Sequence, residues 1–380
     1  MIYLDHAATT FPYPEVTDYF CENMGGYFAN PASLYDLGIT EEKRIRGSLA
    51  SIADDLGCAA DELVVTSGAT ESTNNVIKGH LFAQRKRGTH MITSAGEHSA
   101  TYETGKFMKE IGYSVDFLPL RGDGSNDYSL IPSLAGEKTT LLSFIAVNNE
   151  TGAISSIDEL AQLRDRFCPQ AAIHIDYVQG WNRVPINLHA AGVDYASFSG
   201  HKIHGPKGVG LLYMRKGRTL PPLLHGGDQQ RGRRSGTEHS VAVGALALAS
   251  RKGAASRADG YAHALRLRAA MIELLQPANP ILRDKGVRVP HILSLSFPGI
   301  QSETLLHMLE AEQIYVSTQS ACSSRQRAYS RTLEAMGVSR KEALGSLRLS
   351  FDASNTMEEV RTAGEAIVRN VLTLREHTRT

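Results

Sequence analysis

Between about residues 60 and 215 the chain alternates short runs rich in β-branched and aromatic residues with longer amphipathic stretches. The runs 63–66, 90–93, 114–118, 141–147, 171–175, 195–199 and 209–214 read as strands, and the segments between them read as helices. Such alternation predicts an α/β fold with a mostly parallel sheet covered on both faces. One helix start is marked strongly: Ser156 and Glu159 have capping-box spacing, and Ile157, Leu160, Ala161 and Phe167 follow on one face.

The pattern changes near Pro221-Pro222. A Gly/Arg-rich loop, 226–236, leads into an Ala-rich helical segment over about 240–275. Beyond it come a strand at 292–297, a helix at 303–310, a strand at 314–318, an irregular stretch, a strand at 347–351 and a helix from about Met357. This order predicts a smaller α+β domain packed on the first. We expect residues 13–255 to form the large domain, with 1–12 and 256–380 in the small one.

Composition narrows the partners. Lysine plus arginine equals aspartate plus glutamate at 40 each in 380 residues, so no global field draws the chain to nucleic acid or an anionic membrane. The four cysteines, Cys21, Cys58, Cys168 and Cys322, form neither a Cys-x-x-Cys pair nor a disulfide framework. A reducing cytoplasm is the expected location. The first residues carry no basic segment followed by an apolar run, and no stretch approaches the roughly 20 apolar residues of a membrane span.

In an open parallel sheet, ligands bind beyond the carboxyl ends of the strands, and there the sequence is dense in polar residues. The first run is followed by Ser67-Gly68-Ala69-Thr70-Glu71, a small-residue turn whose free N–H groups suit a phosphate. Later runs are followed by Glu97-His98, by Asn148-Asn149-Glu150, and by Asp176 and Gln179. Any one of these is more often a cap or a satisfied loop residue; several on successive strand ends make a site. The strongest signal is Ser199-Gly200-His201-Lys202, followed by His204-Gly205-Pro206-Lys207-Gly208. A lysine just past a strand, hemmed in by small and ring residues, is poised for desolvation, which lowers its pKa and makes it nucleophilic toward an aldehyde. His201 and His204 lack a third ligand at metal spacing, so no metal is expected.

An aldehyde cofactor such as pyridoxal 5'-phosphate (PLP) needs that lysine, and a carboxylate to keep its ring nitrogen protonated. Asp176, about one βα step before Lys202, is the candidate. His98 could lie over the ring, and Thr70, Ser199 and His201 could close around the phosphate.

Together these segments resemble the group I cysteine desulfurases of the IscS/NifS kind, within the class V aminotransferase family of fold-type I PLP enzymes. The resemblance runs from Tyr3-Leu4-Asp5-His6-Ala7-Ala8-Thr9-Thr10 to Leu347-Arg348-Leu349-Ser350-Phe351, and takes in Ser67 to Glu71, Asn148 to Gly152, Ser199 to Gly208 and Arg234-Ser235-Gly236-Thr237. It implies a seven-stranded large-domain sheet, a Schiff base at Lys202, a ring-nitrogen partner at Asp176, ring contacts from His98, Asn149 and Gln179, and phosphate contacts from Ala69, Thr70, Ser199 and His201. It also implies a homodimer in which Thr237 reaches the neighbouring subunit's phosphate.

Ser320-Ala321-Cys322-Ser323-Ser324 looks like the family's active-site cysteine segment, and its surroundings, 317–327, read as a mobile loop. Cys322 is then the nucleophile that takes sulfur from L-cysteine, leaving alanine, before an acceptor protein or small thiol removes it. Lys202 and His98 would move protons, and Arg348, inside an apolar strand, would grip the substrate carboxylate. An aminotransferase, a selenocysteine lyase or a catalytically silent PLP-binding scaffold on the same fold are the alternatives. The chain departs from the family at Gln319, where glycine is usual, at Tyr35, where histidine is usual, and at Asp228 in a normally glycine-rich loop.

Overall fold

A computed structural model of the chain describes residues 1–319 and 330–377. The strands, in chain order, are β1 (Ile2–Tyr3), β2 (Leu63–Thr66), β3 (His90–Ser94), β4 (Ser114–Leu118), β5 (Thr139–Ile145), β6 (Ala172–Asp176), β7 (Tyr195–Ser199), β8 (Gly210–Met214), β9 (Ile281–Leu282), β10 (Ile292–Ser296), β11 (Ile314–Tyr315), β12 (Ser317–Thr318) and β13 (Ser346–Ser350). Seven of them form the large sheet in the order β2-β8-β7-β6-β5-β3-β4. Every pairing is parallel except those of β8, which runs against both β2 and β7.

Burial explains the composition of the central strands. Every residue of β5, β6 and β7 is buried, as required of strands covered on both faces. One face packs against Val243, Leu246, Ile52, Leu56 and Trp181, the other against Val76, Ile77, Leu81 and Met108. A second sheet, β12-β13-β10-β9, is antiparallel throughout. Its apolar face, with Leu293, Leu295, Leu347 and Leu349, shares a core with Leu267 and Met271 of the helix Arg257–Leu274 and with Val360 and Ile367 of the helix Met357–His377. Leu4 enters that core, because β1 pairs with β11.

Three local expectations differ from what forms. The expected strand 314–318 divides at Val316: β11 pairs with β1 and β12 with β13. The Ala-rich segment forms two helices, Ser240–Ala255 and Arg257–Leu274, that break at Ser256. The first is buried against the large sheet and the second packs on the small sheet, so the chain has to turn between them. The capping box at Ser156 is half made. Ser156 Oγ accepts from the Glu159 amide (3.1 Å), but the Glu159 carboxylate accepts from Arg121 Nη2 (3.0 Å), a charged partner that a capping interaction cannot match.

The carboxyl ends of the strands are brought close by glycines. Gly210 opens β8 between Thr66 and Ser199, where a Cβ would come within 2.4 Å of the Phe198 carbonyl oxygen and 2.6 Å of Gly68 Cα. Both obstacles are backbone, so Gly210→Ala has to spread three strand ends. Overpacking of this kind costs about 1–3 kcal/mol, and the variant should unfold at a correspondingly lower denaturant concentration, measured by circular dichroism.

Candidate active site

A cavity of about 760 Å³ lies at the carboxyl ends of β5, β6 and β7. Lys202 ends a short 3-10 turn, Gly200–Lys202, that directly continues β7. Its ammonium reaches across to the amino-terminal segment, donating to the carbonyls of Ala7 (2.8 Å) and Ala8 (2.6 Å). Thr10 secures the same segment, with its amide and hydroxyl both donating to the His201 carbonyl (2.9 Å each). Carbonyl dipoles do not neutralise the amine. Burial first, and then the guanidinium charges of Arg348 and Arg183, lower its pKa to about 8.

Asp176 closes β6 beside Ile145 of β5 and Ser197 of β7, and its Oδ1 accepts from the Val178 amide (3.0 Å). Burial pushes this carboxyl upward against the pull of His98, the Val178 amide and Lys202. A carboxylate so placed gains strongly from a cationic donor that enters the cavity. His98 is the N-cap of the helix Ser99–Glu110, and its Nδ1 accepts from the Ala100 amide (3.1 Å). In the neutral ring the proton therefore sits on Nε2. Burial holds His98 below the ordinary histidine value, so the neutral form is favoured.

On the far wall, Gly68 caps the helix Ala69–Gln84 without any side-chain cap. Ala69, Thr70, Ser199, His201 and Lys207 surround this end of the cavity. The His201 ring meets the Thr9 hydroxyl through Nδ1 (3.0 Å), and burial lowers its pKa to about 4. Gln179 Nε2 donates to the Ala7 carbonyl (2.9 Å), while its Oε1 is buried without a partner.

Arg348 projects from β13, where it pairs in register with Ser317 and Ser294. Its Nη2 meets Asp5 Oδ1 (2.7 Å), its Nη1 donates to the Asn149 carbonyl (2.8 Å), and its Nε is buried without a partner. The guanidinium is thus the ion-pair partner of Asp5. A substrate carboxylate would have to compete with Asp5 for it.

Of the residues expected at the site, Ala69, Thr70, His98, Asn149, Asp176, Gln179, Ser199, His201, Lys202 and Arg348 all line this cavity. Thr237 does not; it lies exposed in the segment before the helix Ser240–Ala255. Cys322 lies outside the described residues. The sequence reading overlooked Asp5 as the partner of Arg348, and it overlooked Glu150 as a clamp. The Glu150 carboxylate accepts from the hydroxyls of Ser330 and Thr332 (2.8 Å for the latter), and its carbonyl accepts from Gln319 Nε2 (3.0 Å). Gln319 Oε1 in turn accepts from Ser294 Oγ of β10 (2.9 Å). One residue therefore ties both ends of the segment 320–329 to the cavity wall, and the departure from glycine at Gln319 supplies one of the ties. The Asn148-Asn149-Glu150 cluster was a signal for a site, but not for this partner.

The residues present suit PLP. The cup at Gly68 offers helix-end amides and hydroxyls to a phosphate, Asp176 offers a buried carboxylate to a ring nitrogen, and the lysine amine is largely stripped of water. Comparison with known proteins gives the class. Residues 2–362 match the family model "Aminotransferase class-V", and the chain belongs to that family. Among curated relatives, the chain is 38% identical to a "NifS/IcsS protein homolog" of Lactobacillus delbrueckii subsp. bulgaricus, covering 94% of each chain. It is 37% identical to "Cysteine desulfurase IscS" of Methanosarcina thermophila, covering 98% of this chain and 93% of that one. Among solved structures, a "NifS-like protein" superposes with a TM-score of 0.93 at 33% identity, over 98% of this chain and all of the other.

Two outcomes follow from the site. The Lys202 amine should react with aldehyde as a group of pKa about 8: in the cofactor-free protein the rate of PLP incorporation should rise with pH to a midpoint near 8, well below the 10.4 of an ordinary lysine. A midpoint above 9.5 would contradict the desolvated placement. Glu150→Ala removes the carboxylate that accepts from two hydroxyls, each such hydrogen bond being worth about 1.5–3 kcal/mol. Amide exchange in the helix Arg331–Ala335 should then quicken more than tenfold, measured by hydrogen exchange with mass spectrometry.

Proposed function

We infer that the chain is a PLP-dependent cysteine desulfurase: it takes sulfur from L-cysteine onto Cys322, releases L-alanine, and passes the sulfur to an acceptor. The observation that carries this reading is the convergence of Lys202, Asp176 and Arg348 on a cavity whose wall includes Gln319 and Ser330, the residues flanking the Cys322 segment. Three peptide steps separate Gln319 from Cys322, which bounds the separation of their Cα atoms at about 11 Å.

PLP, when bound, supplies an electron sink that makes the substrate Cα–H acidic and the Cβ–S bond labile. Lys202, Asp176, Gln179 and His98 would hold its ring, and Ala69, Thr70, Ser199 and His201 its phosphate. The chain's residues supply the rest. Arg348, released from Asp5, fixes the substrate carboxylate, with Asn149 beside it. The Lys202 amine, neutral in a large fraction of molecules near pH 8, takes the Cα proton. Asp176 holds the ring-nitrogen proton, and the Nε2 proton of His98 is available to the substrate. The Cys322 thiolate attacks the substrate sulfur, so that a Cβ–S bond breaks as an S–S bond forms. L-cysteine and the Cys322 thiol thus become L-alanine and a Cys322 persulfide with no outside oxidant.

A homodimer completes the proposal. Thr237 is exposed and stands outside the cavity of its own chain, where it is free to serve a neighbour's phosphate cup. The acceptor would be a protein or a small thiol. Among the described residues no helix is long and apolar enough to cross a membrane, and no cluster of His, Cys, Asp or Glu could hold a metal.

Incubation with L-cysteine should add one sulfur atom to Cys322, seen by peptide mass spectrometry, as alanine appears. Cys322→Ala should keep the yellow cofactor but lose sulfide release in the presence of a reducing thiol; undiminished release would sink the nucleophile assignment. Lys202→Ala should lose the absorption band of the lysine-linked cofactor. Continued amino transfer to a 2-oxo acid by Cys322→Ala would point to the aminotransferase alternative.

A further inference from the structure

Behind the active site, between the lysine turn and the small sheet, lies a second cavity of about 90 Å³. Trp181, Asn182, Arg183, Arg257, His291 and Asp352 line it. Arg183 is the unusual member. Its Nη2 donates to the Lys202 carbonyl (3.0 Å), its Nη1 is buried without a partner, and among the described residues no carboxylate lies within ion-pair distance of it.

The two nearby carboxylates are already engaged. Asp352 Oδ2 meets His204 Nε2 (2.9 Å), and its Oδ1 accepts from the Ser354 amide (3.1 Å) and hydroxyl (3.0 Å). His204 Nδ1 faces the Phe11 carbonyl (2.7 Å), so with an acceptor at each nitrogen the ring donates at both and cancels Asp352. Asp55 takes Arg257 Nη2 with both oxygens (2.8 and 3.0 Å). These two pairs are neutral, which leaves the cavity wall with the single positive charge of Arg183.

The remaining polar atoms have the same bias. Trp181 Nε1, Arg257 Nε and His291 Nε2 are buried without partners, whereas the only such oxygen on this wall is Asn182 Oδ1. Water could satisfy these N–H groups but could not neutralise the guanidinium, and an isolated buried charge is far costlier than an unmade neutral hydrogen bond. Since about 10–15 Å³ of such space already holds one water, the cavity has room for one small ion with a few waters. Tyr261, 42% exposed at its rim, offers a way in.

We propose that this cavity binds one monovalent anion of halide size as the counter-ion of Arg183. The site is independent of the sulfur chemistry, though joined to the lysine turn through the Lys202 carbonyl.

Trp181 is the only tryptophan in the chain, so its fluorescence reports on the cavity directly. Bromide added to the purified holoenzyme at constant ionic strength, against gluconate, should quench that emission saturably and without shortening its lifetime. Chloride should compete with bromide and raise Tm by about 2 °C or more when it is well above its Kd. Arg183→Met should abolish both responses, and Arg183→Lys, which keeps the charge, should restore them in part. Should Arg183→Met not fold, anomalous diffraction from a bromide-soaked crystal of the unaltered protein decides: a single peak beside Arg183 and the Trp181 indole supports the site. Waters in place of that peak, quenching that is linear and collisional, or a halide-independent Tm would each overturn it.

Discussion

The site depends on a primary amine held out of water and, among the described residues, without a carboxylate at ion-pair distance. Lys202 is placed at the end of a fully buried strand, and among the described residues its protons go to the carbonyls of Ala7 and Ala8. Dipoles stabilise an ammonium less than an anion does, and the guanidinium groups of Arg348 and Arg183 oppose it from either side. Asp5 and Asp176 pull its pKa upward but make no ion pair with it; a carboxylate in direct contact would have held the amine protonated and unreactive. Asp176 instead occupies the end of the adjacent strand, where a ring nitrogen can use it.

That arrangement requires the chain ends and the two sheets to be locked together. The amino-terminal segment serves three parts at once: Ile2 and Tyr3 pair with β11, Asp5 holds Arg348 of β13, and Ala7 and Ala8 hold Lys202. His204, in a left-handed backbone conformation (φ 64°), ties the lysine turn to Asp352 just past β13. The strain of that conformation is tolerated because both ring nitrogens and the backbone amide are satisfied there. Lys202 and Arg348 are thus held by one network that joins the large sheet to the small one, rather than by separate loops.

The Glu150 clamp fixes the residues on either side of the segment 320–329. By fastening Gln319 on one side and Ser330 and Thr332 on the other, it gives the Cys322 segment a fixed base at the cavity. Family members with glycine at the Gln319 position lack the side chain that makes the tie to Ser294.

The sequence by itself determined the strands of the large sheet, the turn at Gly68 and the lysine turn, because burial on both faces and phosphate-binding turns leave local signatures of composition and spacing. It also marked ten of the residues that line the cavity, most of them just past strand ends. It could not decide which of them would pair. Asp5 with Arg348, Glu150 with Gln319 and Ser330, and His204 with Asp352 are separated by roughly 150 to 350 residues, and no local pattern encodes such contacts. The division of 314–318 between two sheets and the break at Ser256 were likewise set by the partners each half found. Whether a charge is neutralised, as at Asp352, or left over, as at Arg183, depends on a sum over neighbours that only the tertiary fold brings within a few ångströms.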